Sequence, residues 1–337
     1  MTAGSVPAKF RTALQTPAVA AAIVVALLFA ATALGGMTRE VVSGVMLGSI
    51  YMMVAVAFTL TIGVLNFLNF TIPSLFMLTG MVAWGLTANG YVKFAGSWAW
   101  LAALAAGVAA AVAASLLVER FTFRYLRMKH GDAIEHAIPL VSSLGFLLIF
   151  EHLVLIALGS ESERFAIPFK ADVHVASVVV GVPQIISCAL AVGVVAALSF
   201  VLKNTKTGRA LRTIAESPDT AALLGVEVDK IVPLVFILTG LLAGIAGALF
   251  TVNYGNVSPF MGDNVGTKAI AAMVVGGIGS VWGAIAGGLV VGLAETLSIY
   301  LFGGDSVQMV VWGLLLALIV VRPQGLFATV AIGKGKM

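Results

Sequence analysis

Val41-Val42-Ser43-Gly44-Val45-Met46-Leu47-Gly48-Ser49-Ile50-Tyr51-Met52 opens a run that reaches Val92 without one charged side chain. A bilayer-crossing helix needs about 20 predominantly apolar residues, so this run predicts two spans and the connection between them. The connection reads Gly63-Val64-Leu65-Asn66-Phe67-Leu68-Asn69-Phe70, with two asparagines and no charge. An ordinary cytoplasmic loop carries Lys or Arg. Irregular backbone at membrane depth is tolerated only where it lines a cavity or is buried in protein. The segment is therefore read either as a broken helix or as a tight turn between two hairpin helices.

Outward from this run the pattern repeats. The chain has 337 residues, 60% hydrophobic and 10% charged. Soluble domains hold roughly 25% charged residues, and one water-soluble core could not hide so much apolar surface. The expected fold class is all-α: a polytopic membrane protein of about ten transmembrane helices with one or two broken or re-entrant segments. The stretches are 17–36, 41–63, 71–90, 97–118, 137–158, 175–202, 231–252, 267–279, 281–301 and 306–321. The first follows Lys9 and Arg11 like a signal peptide, but its length and the spans behind it make it a membrane helix. Residues 1–337 are read as one transmembrane domain, with 203–230 as its cytoplasmic loop.

Charge sets the expected orientation. With ten alternating spans and the N-terminus in the cytoplasm, one side collects Lys9 and Arg11, the Arg120–Lys129 cluster, the Lys203–Lys230 cluster, and Arg322, Lys334 and Lys336. The other side holds only Arg39, Lys93, Arg164 and Lys170, with Lys268 at a boundary. The positive-inside rule thus predicts both termini in the cytoplasm and an even number of spans. The net charge of +4 does not signal nucleic acid, because the positive residues lie in short runs between apolar stretches. The single cysteine, Cys188, excludes an intrachain disulfide and reads as a small buried hydrophobe.

A second interruption, Gly276-Gly277-Ile278-Gly279-Ser280, sits in the uncharged stretch from Ala269 to Ala294. It too is read as a broken helix or a tight turn. Glycines four apart, such as Gly44/Gly48, Gly240/Gly244, Gly283/Gly287 and Gly288/Gly292, predict closely packed helix pairs. Catalytic machinery is not apparent. The four histidines are scattered, and Gly262-Asp263-Asn264-Val265-Gly266-Thr267-Lys268 misses the phosphate-loop spacing, with no strand expected before it.

The loop after Lys203 is the most informative polar region. Ser217-Pro218-Asp219 is a helix-start signal and Gly225 a natural stop. The short helix between them carries Ala221, Ala222, Leu223 and Leu224, too apolar for free solution. It is read as a docking element, or as a helix lying on the membrane surface.

Together with this loop, four further passages resemble the permease family for branched-chain amino acids of ABC importers. They are Phe236–Phe250 with Ala243-Gly244-Ile245-Ala246-Gly247, Gly276–Ser280 with Gly283-Ala284, Arg322-Pro323-Gln324-Gly325-Leu326-Phe327, and Leu65-Asn66-Phe67. Leu68-Asn69-Phe70-Thr71 stands where that family often has small residues and a His-Gly pair. The resemblance implies an inner-membrane permease subunit for branched-chain or other small hydrophobic amino acids. It implies a second homologous permease, two cytoplasmic ATPases that bind ATP and magnesium, and a periplasmic substrate-binding protein. No cofactor is expected in this chain, and its other contact is membrane lipid. Arg209, Glu216, Ala221, Ala222 and Gly225 are the expected coupling residues.

Polar residues inside spans are costly in lipid and mark candidate pathway positions. They are Asn66, Asn69, Thr71, Glu151 with His152, Gln184, Thr239 and Glu295, with Asn253 and Tyr254 at the outer end of the seventh span. Glu151 and Glu295 also read as structural hydrogen-bond or ion-pair partners. Permeases for urea or short-chain amides share the overall pattern. An ion-coupled secondary transporter would use Glu151 or Glu295 as its coupling carboxylate and need no ATPase. In a Cys188→Ser background, cysteines at Met128 and Ser162 should label from opposite sides. Labelling of both by an impermeant reagent in intact cells would overturn the alternation.

Overall fold

Lipid offers no hydrogen bonds to the backbone, so the apolar stretches satisfy their own N–H and C=O groups by becoming helices. The computed structural model describes residues 38–88, 98–124, 137–165, 172–175, 178–322 and 325–327. Helix α1 spans Thr38–Leu65 and α2 Thr71–Ala88. Helix α3, Ala99–Val118, continues into a π-helical turn, Glu119–Arg124, and α4 covers Ala137–Leu158. Then come α5 (Val182–Asn204), α6 (Lys206–Glu216), α7 (Pro218–Leu223) and α8 (Val228–Tyr254). The last three are α9 (Met261–Gly276), α10 (Val281–Phe302) and α11 (Val307–Val321).

Seven of these helices, α1–α5, α8 and α10, are long and apolar enough to cross a membrane. Helices α9 and α11 are shorter, at 16 and 15 residues. The protein is a polytopic all-α membrane protein. The expected span 17–36 lies outside the described residues.

Small residues decide which helices meet. Gly48 of α1 sits against Gly288 and Leu289 of α10, and Gly292 of α10 against the backbone of Gly44 and Gly48. A side chain at these positions would hold the two backbones apart. Elsewhere Gly107 of α3 abuts the Thr79 carbonyl of α2, and Gly240 of α8 lies on Val112 and Ser115 of α3. Ser115 Oγ donates to the Phe236 carbonyl at 2.7 Å. Around these contacts Tyr51, Phe58, Phe76 and Phe236 fill the core. Helices α4 and α5 lie at the periphery, with only 17% and 22% of their apolar windows buried.

The two ends of the bundle differ. At one end β1 (Glu163–Arg164) pairs antiparallel with β4 (Asn256–Val257), and β2 (Asp172–Val175) with β3 (Val178–Gly181). At the other end Leu211 of α6 packs with Leu60 of α1 and Val235 of α8. At that same end the C-terminal Leu326 and Phe327 donate backbone hydrogen bonds to Val275 and Gly276. Arg164 and the Arg209–Arg212 segment therefore occupy opposite ends, as alternation of the spans requires.

Three expectations change. The stretch 175–202 is helical only from Val182, because Val175 ends strand β2 and residues 178–181 form strand β3. The stretch 267–279 begins earlier, at Met261, since Asp263, Asn264 and Lys268 are helical despite their polarity. A two-residue strand, β4, does precede Gly262–Lys268, but that segment is helix and makes no phosphate loop.

The first interruption lies at depth. Phe70 N–H donates to Ser143 Oγ at 3.1 Å, and Gly85 lies against Leu158. Helix α2 thus runs beside α4 but starts six residues in, about 9 Å along the helix. Within residues 66–70, Phe67 and Asn69 are buried, Leu68 and Phe70 are half-buried and Asn66 is exposed, so most of this irregular backbone is sheltered by protein. The second interruption, 277–280, is a turn between antiparallel α9 and α10, with Gly276 against Gly283 and Gly287 against Ala272.

Gly292→Val should disrupt the α1–α10 contact and lower the thermal midpoint, at an overpacking cost of roughly 1–3 kcal/mol or more. Gly193→Ala, where an added Cβ meets nothing within 4 Å, should leave the midpoint unchanged or raised. Detergent thermal-shift and size-exclusion profiles of the two variants check this.

Candidate functional site

Three helices bring one charged cluster into the apolar interior. Lys268 of α9 reaches Glu295 of α10, Nζ to Oε1 at 2.5 Å. Tyr51 of α1 donates its hydroxyl to Glu295 Oε2 at 2.6 Å. The same hydroxyl accepts from Lys268 Nζ at 3.4 Å, and the ammonium lies 5.8 Å from the tyrosine ring centroid. The Lys268 and Glu295 side chains are 16% and 10% exposed. A lone charge here would carry a large desolvation cost, and the pair offsets it only because each partner is present.

The hairpin geometry explains the meeting. Gly276 faces Gly283 and Ala272 faces Gly287, so position 268 faces about 291. Glu295 stands one turn further, about 5.4 Å, within reach of the four-carbon lysine stem. Lys268 and Glu295 bracket the uncharged stretch between them. Opposite charges flanking a hairpin were the signal in the sequence. The hydropathy profile by itself places Lys268 at a span boundary, and Tyr51 resembles any apolar-span aromatic.

The exposed face of α9 continues the cluster toward the strand end. Asp263, Asn264 and Thr267 are exposed, at the i, i+1 and i+4 spacing that puts them on one side. A polar stripe on a membrane helix faces water or protein rather than lipid. Tyr254, 51% exposed, stacks on Phe250 at 4.4 Å between ring centroids. Glu151 lies half-buried on the peripheral helix α4.

The remaining candidates separate. Asn69 is fully buried, and its Oδ1 accepts from the Thr71 N–H at 3.0 Å and the Thr71 hydroxyl at 2.6 Å, a cap on α2. Its Nδ2 is buried without a hydrogen-bond partner. Pro73 then seats on Gly262 and Gly266, so this turn adjoins α9. Asn66, at φ 58°, is exposed and does not share a face with Asn69. Asn253 donates to the Leu249 carbonyl at 2.8 Å, leaving Oδ1 buried and unpartnered. Thr239 bonds the Phe236 carbonyl, His152 the Leu148 carbonyl, and Gln184 the Gly181 N–H, all within their own segments. Among the described residues no group of three metal-ligating side chains forms.

At the opposite end, the loop forms the expected short helix. Ser217 Oγ accepts from Thr220 N–H at 3.2 Å to start α7, and Gly225 at φ 82° ends it, a backbone region costly for any side chain. Ala221 is buried, while Leu223 and Leu224 are 88% and 71% exposed. Arg209, Glu216, Ala222 and Gly225 are exposed beside them.

A multi-pass bundle with a polar stripe inside and an apolar helix presented at one end defines a membrane permease. Residues 40–320 match the family described as branched-chain amino acid transport system, permease component, and the chain belongs to that family. It is 30% identical to the high-affinity branched-chain amino acid permease BraD of Pseudomonas aeruginosa, over 88% of this chain and 97% of that protein. It is 29% identical to LivH of Escherichia coli over the same shares. A shorter match, 34% identical over 32% of this chain and 31% of its partner, is to the fructose import permease FrcC of Rhizobium meliloti.

Removing one member of the ion pair should be costly. Lys268→Met alone should destabilise by roughly 3–5 kcal/mol, the usual loss when a buried charge is orphaned. Its thermal midpoint should fall well below that of a Lys268→Met, Glu295→Gln double variant. Equal midpoints for the two would count against the pair.

Proposed function

We propose that this chain is the permease subunit of an ABC importer that carries branched-chain or other small hydrophobic amino acids across the bacterial inner membrane. The α6–α7 end faces the cytoplasm, with the N- and C-termini on that side. Two ATPase subunits dock there and supply the ATP and magnesium chemistry. A second homologous permease completes the channel, and a periplasmic binding protein delivers substrate at the strand end.

One observation carries the coupling half of this reading. Helix α7 is capped at both ends and anchored by Ala221, yet it presents Leu223 and Leu224 to solvent beyond the bundle. Two exposed leucines at the end of a polar loop fit a protein socket better than water. Closure of the ATPases around bound ATP would press on α7, and α6 would pass the movement to Leu60 and Val235. The substrate class rests on the family and its two near-full-length relatives.

Gly225→Glu tests the coupling. The left-handed backbone at this position is strained by any side chain, and the added charge sits beside the leucine pair. The variant should assemble normally, yet lose both leucine uptake and the ATPase stimulation caused by loaded binding protein. Normal stimulation in well-assembled protein would remove α7 from the coupling interface. Uptake competed by urea or acetamide but not by leucine would favour the amide-permease alternative. Uptake abolished by a protonophore while ATP is maintained would favour an ion-coupled carrier.

A further inference from the structure

We infer that the Tyr51–Lys268–Glu295 cluster is the point in the membrane where the charged ends of an α-amino acid substrate are received. The inference rests on the amino-acid reading above and assigns its polar recognition to three residues that the coupling mechanism does not use. The argument begins with charge balance. The cluster is internally neutral: one ammonium, one carboxylate and one hydroxyl that donates to the carboxylate and accepts from the ammonium. An α-amino acid at neutral pH is likewise neutral overall, with one ammonium and one carboxylate a few bonds apart. Exchange of partners, substrate carboxylate to Lys268 and substrate ammonium to Glu295, leaves no net charge in the apolar interior. An inorganic ion or a keto acid would leave one, at a steep desolvation cost. An uncharged amide could not repay opening the pair.

Access follows from α9. Lys268 and Glu295 are not sealed, and the exposed Asp263, Asn264 and Thr267 lead toward the strand end along the same helix. Tyr254 and Phe260 stand half exposed there, giving apolar surface for a hydrocarbon side chain. The route thus offers amide, hydroxyl and carboxylate groups for the polar ends and aromatic rings for the branched side chain. The ion pair at its inner end also joins α1, α9 and α10. Its opening on substrate arrival would loosen the contact between the hairpin and the central helix, a link between occupancy and movement.

The test uses the complete complex reconstituted in proteoliposomes with its ATPases and binding protein. Leucine passage by the native complex is measured first, and absence of any amino-acid passage would overturn the substrate reading itself. Two variants then test the cluster. The neutral pair Lys268→Met, Glu295→Gln keeps volume, and the swapped pair Lys268→Glu, Glu295→Lys keeps the ion pair but reverses its direction. The expected result is a normal size-exclusion profile with leucine passage reduced by about tenfold or more, the scale of one lost charge-assisted contact. Tyr51→Phe should give a smaller loss of the same kind. Native-rate leucine passage by either double variant would overturn the inference and leave the substrate reading standing. Failure of both double variants to assemble would make the cluster a structural staple and overturn it equally.

Discussion

The ion pair of Lys268 and Glu295 joins α9 to α10 between apolar helices, and Tyr51 of α1 bonds the same carboxylate. A carboxylate and an ammonium taken out of water attract strongly only when their geometry is good and their spare hydrogen-bonding capacity is used. Tyr51 supplies that use, with one hydroxyl serving both partners. The glycines of α1 and α10 serve the same constraint, because backbones separated by larger side chains would move Tyr51 away from Glu295. Close packing and the ion pair are therefore one feature: small residues set the distance, and the charges set the register.

The same constraint shapes the irregular parts. Helix α2 starts well inside the bundle, where the Phe70 N–H is met by Ser143 of α4. Asn69 then closes the turn onto Thr71. Helix α9 is short and polar on one side, yet it is held on both flanks, by Pro73 at Gly262 and Gly266 and by α10 at Gly276 and Gly287. Short helices at membrane depth stay in place only where neighbours take up their ends. Here those neighbours are α1, α2 and α10.

The two ends divide the work. The strand end gathers exposed polar and aromatic groups near α9, suited to a soluble ligand that must leave water by steps. The α6–α7 end carries a capped helix with two bare leucines, suited to a protein partner. Between them lies a core in which Tyr51, Phe58, Phe76 and Phe236 are almost wholly buried. A movement begun at α7 meets α1 and α8 first, through Leu211, Leu60 and Val235, and α1 also carries Tyr51.

Much of this was legible in the chain itself. Hydropathy alone determined the membrane class and nearly every span, because lipid forces each apolar stretch of sufficient length into a helix. The Ser217–Gly225 helix was legible because caps are local chemistry. The family motifs in the last third were legible as resemblance. What the sequence did not decide was partnership. Glu295 and Glu151 both read as costly carboxylates, and only folding gave one a lysine and a tyrosine and left the other on a peripheral helix. Asn66 and Asn69 both read as pathway candidates, yet the left-handed backbone at Asn66 leaves it exposed while Asn69 is buried. Lys268 read as a boundary residue because a one-dimensional profile cannot show that a helix of 16 residues is sheltered by its neighbours. Hydropathy is a property of each segment against lipid. The pairing of charges is a property of helices against one another, and the tertiary structure alone decided it.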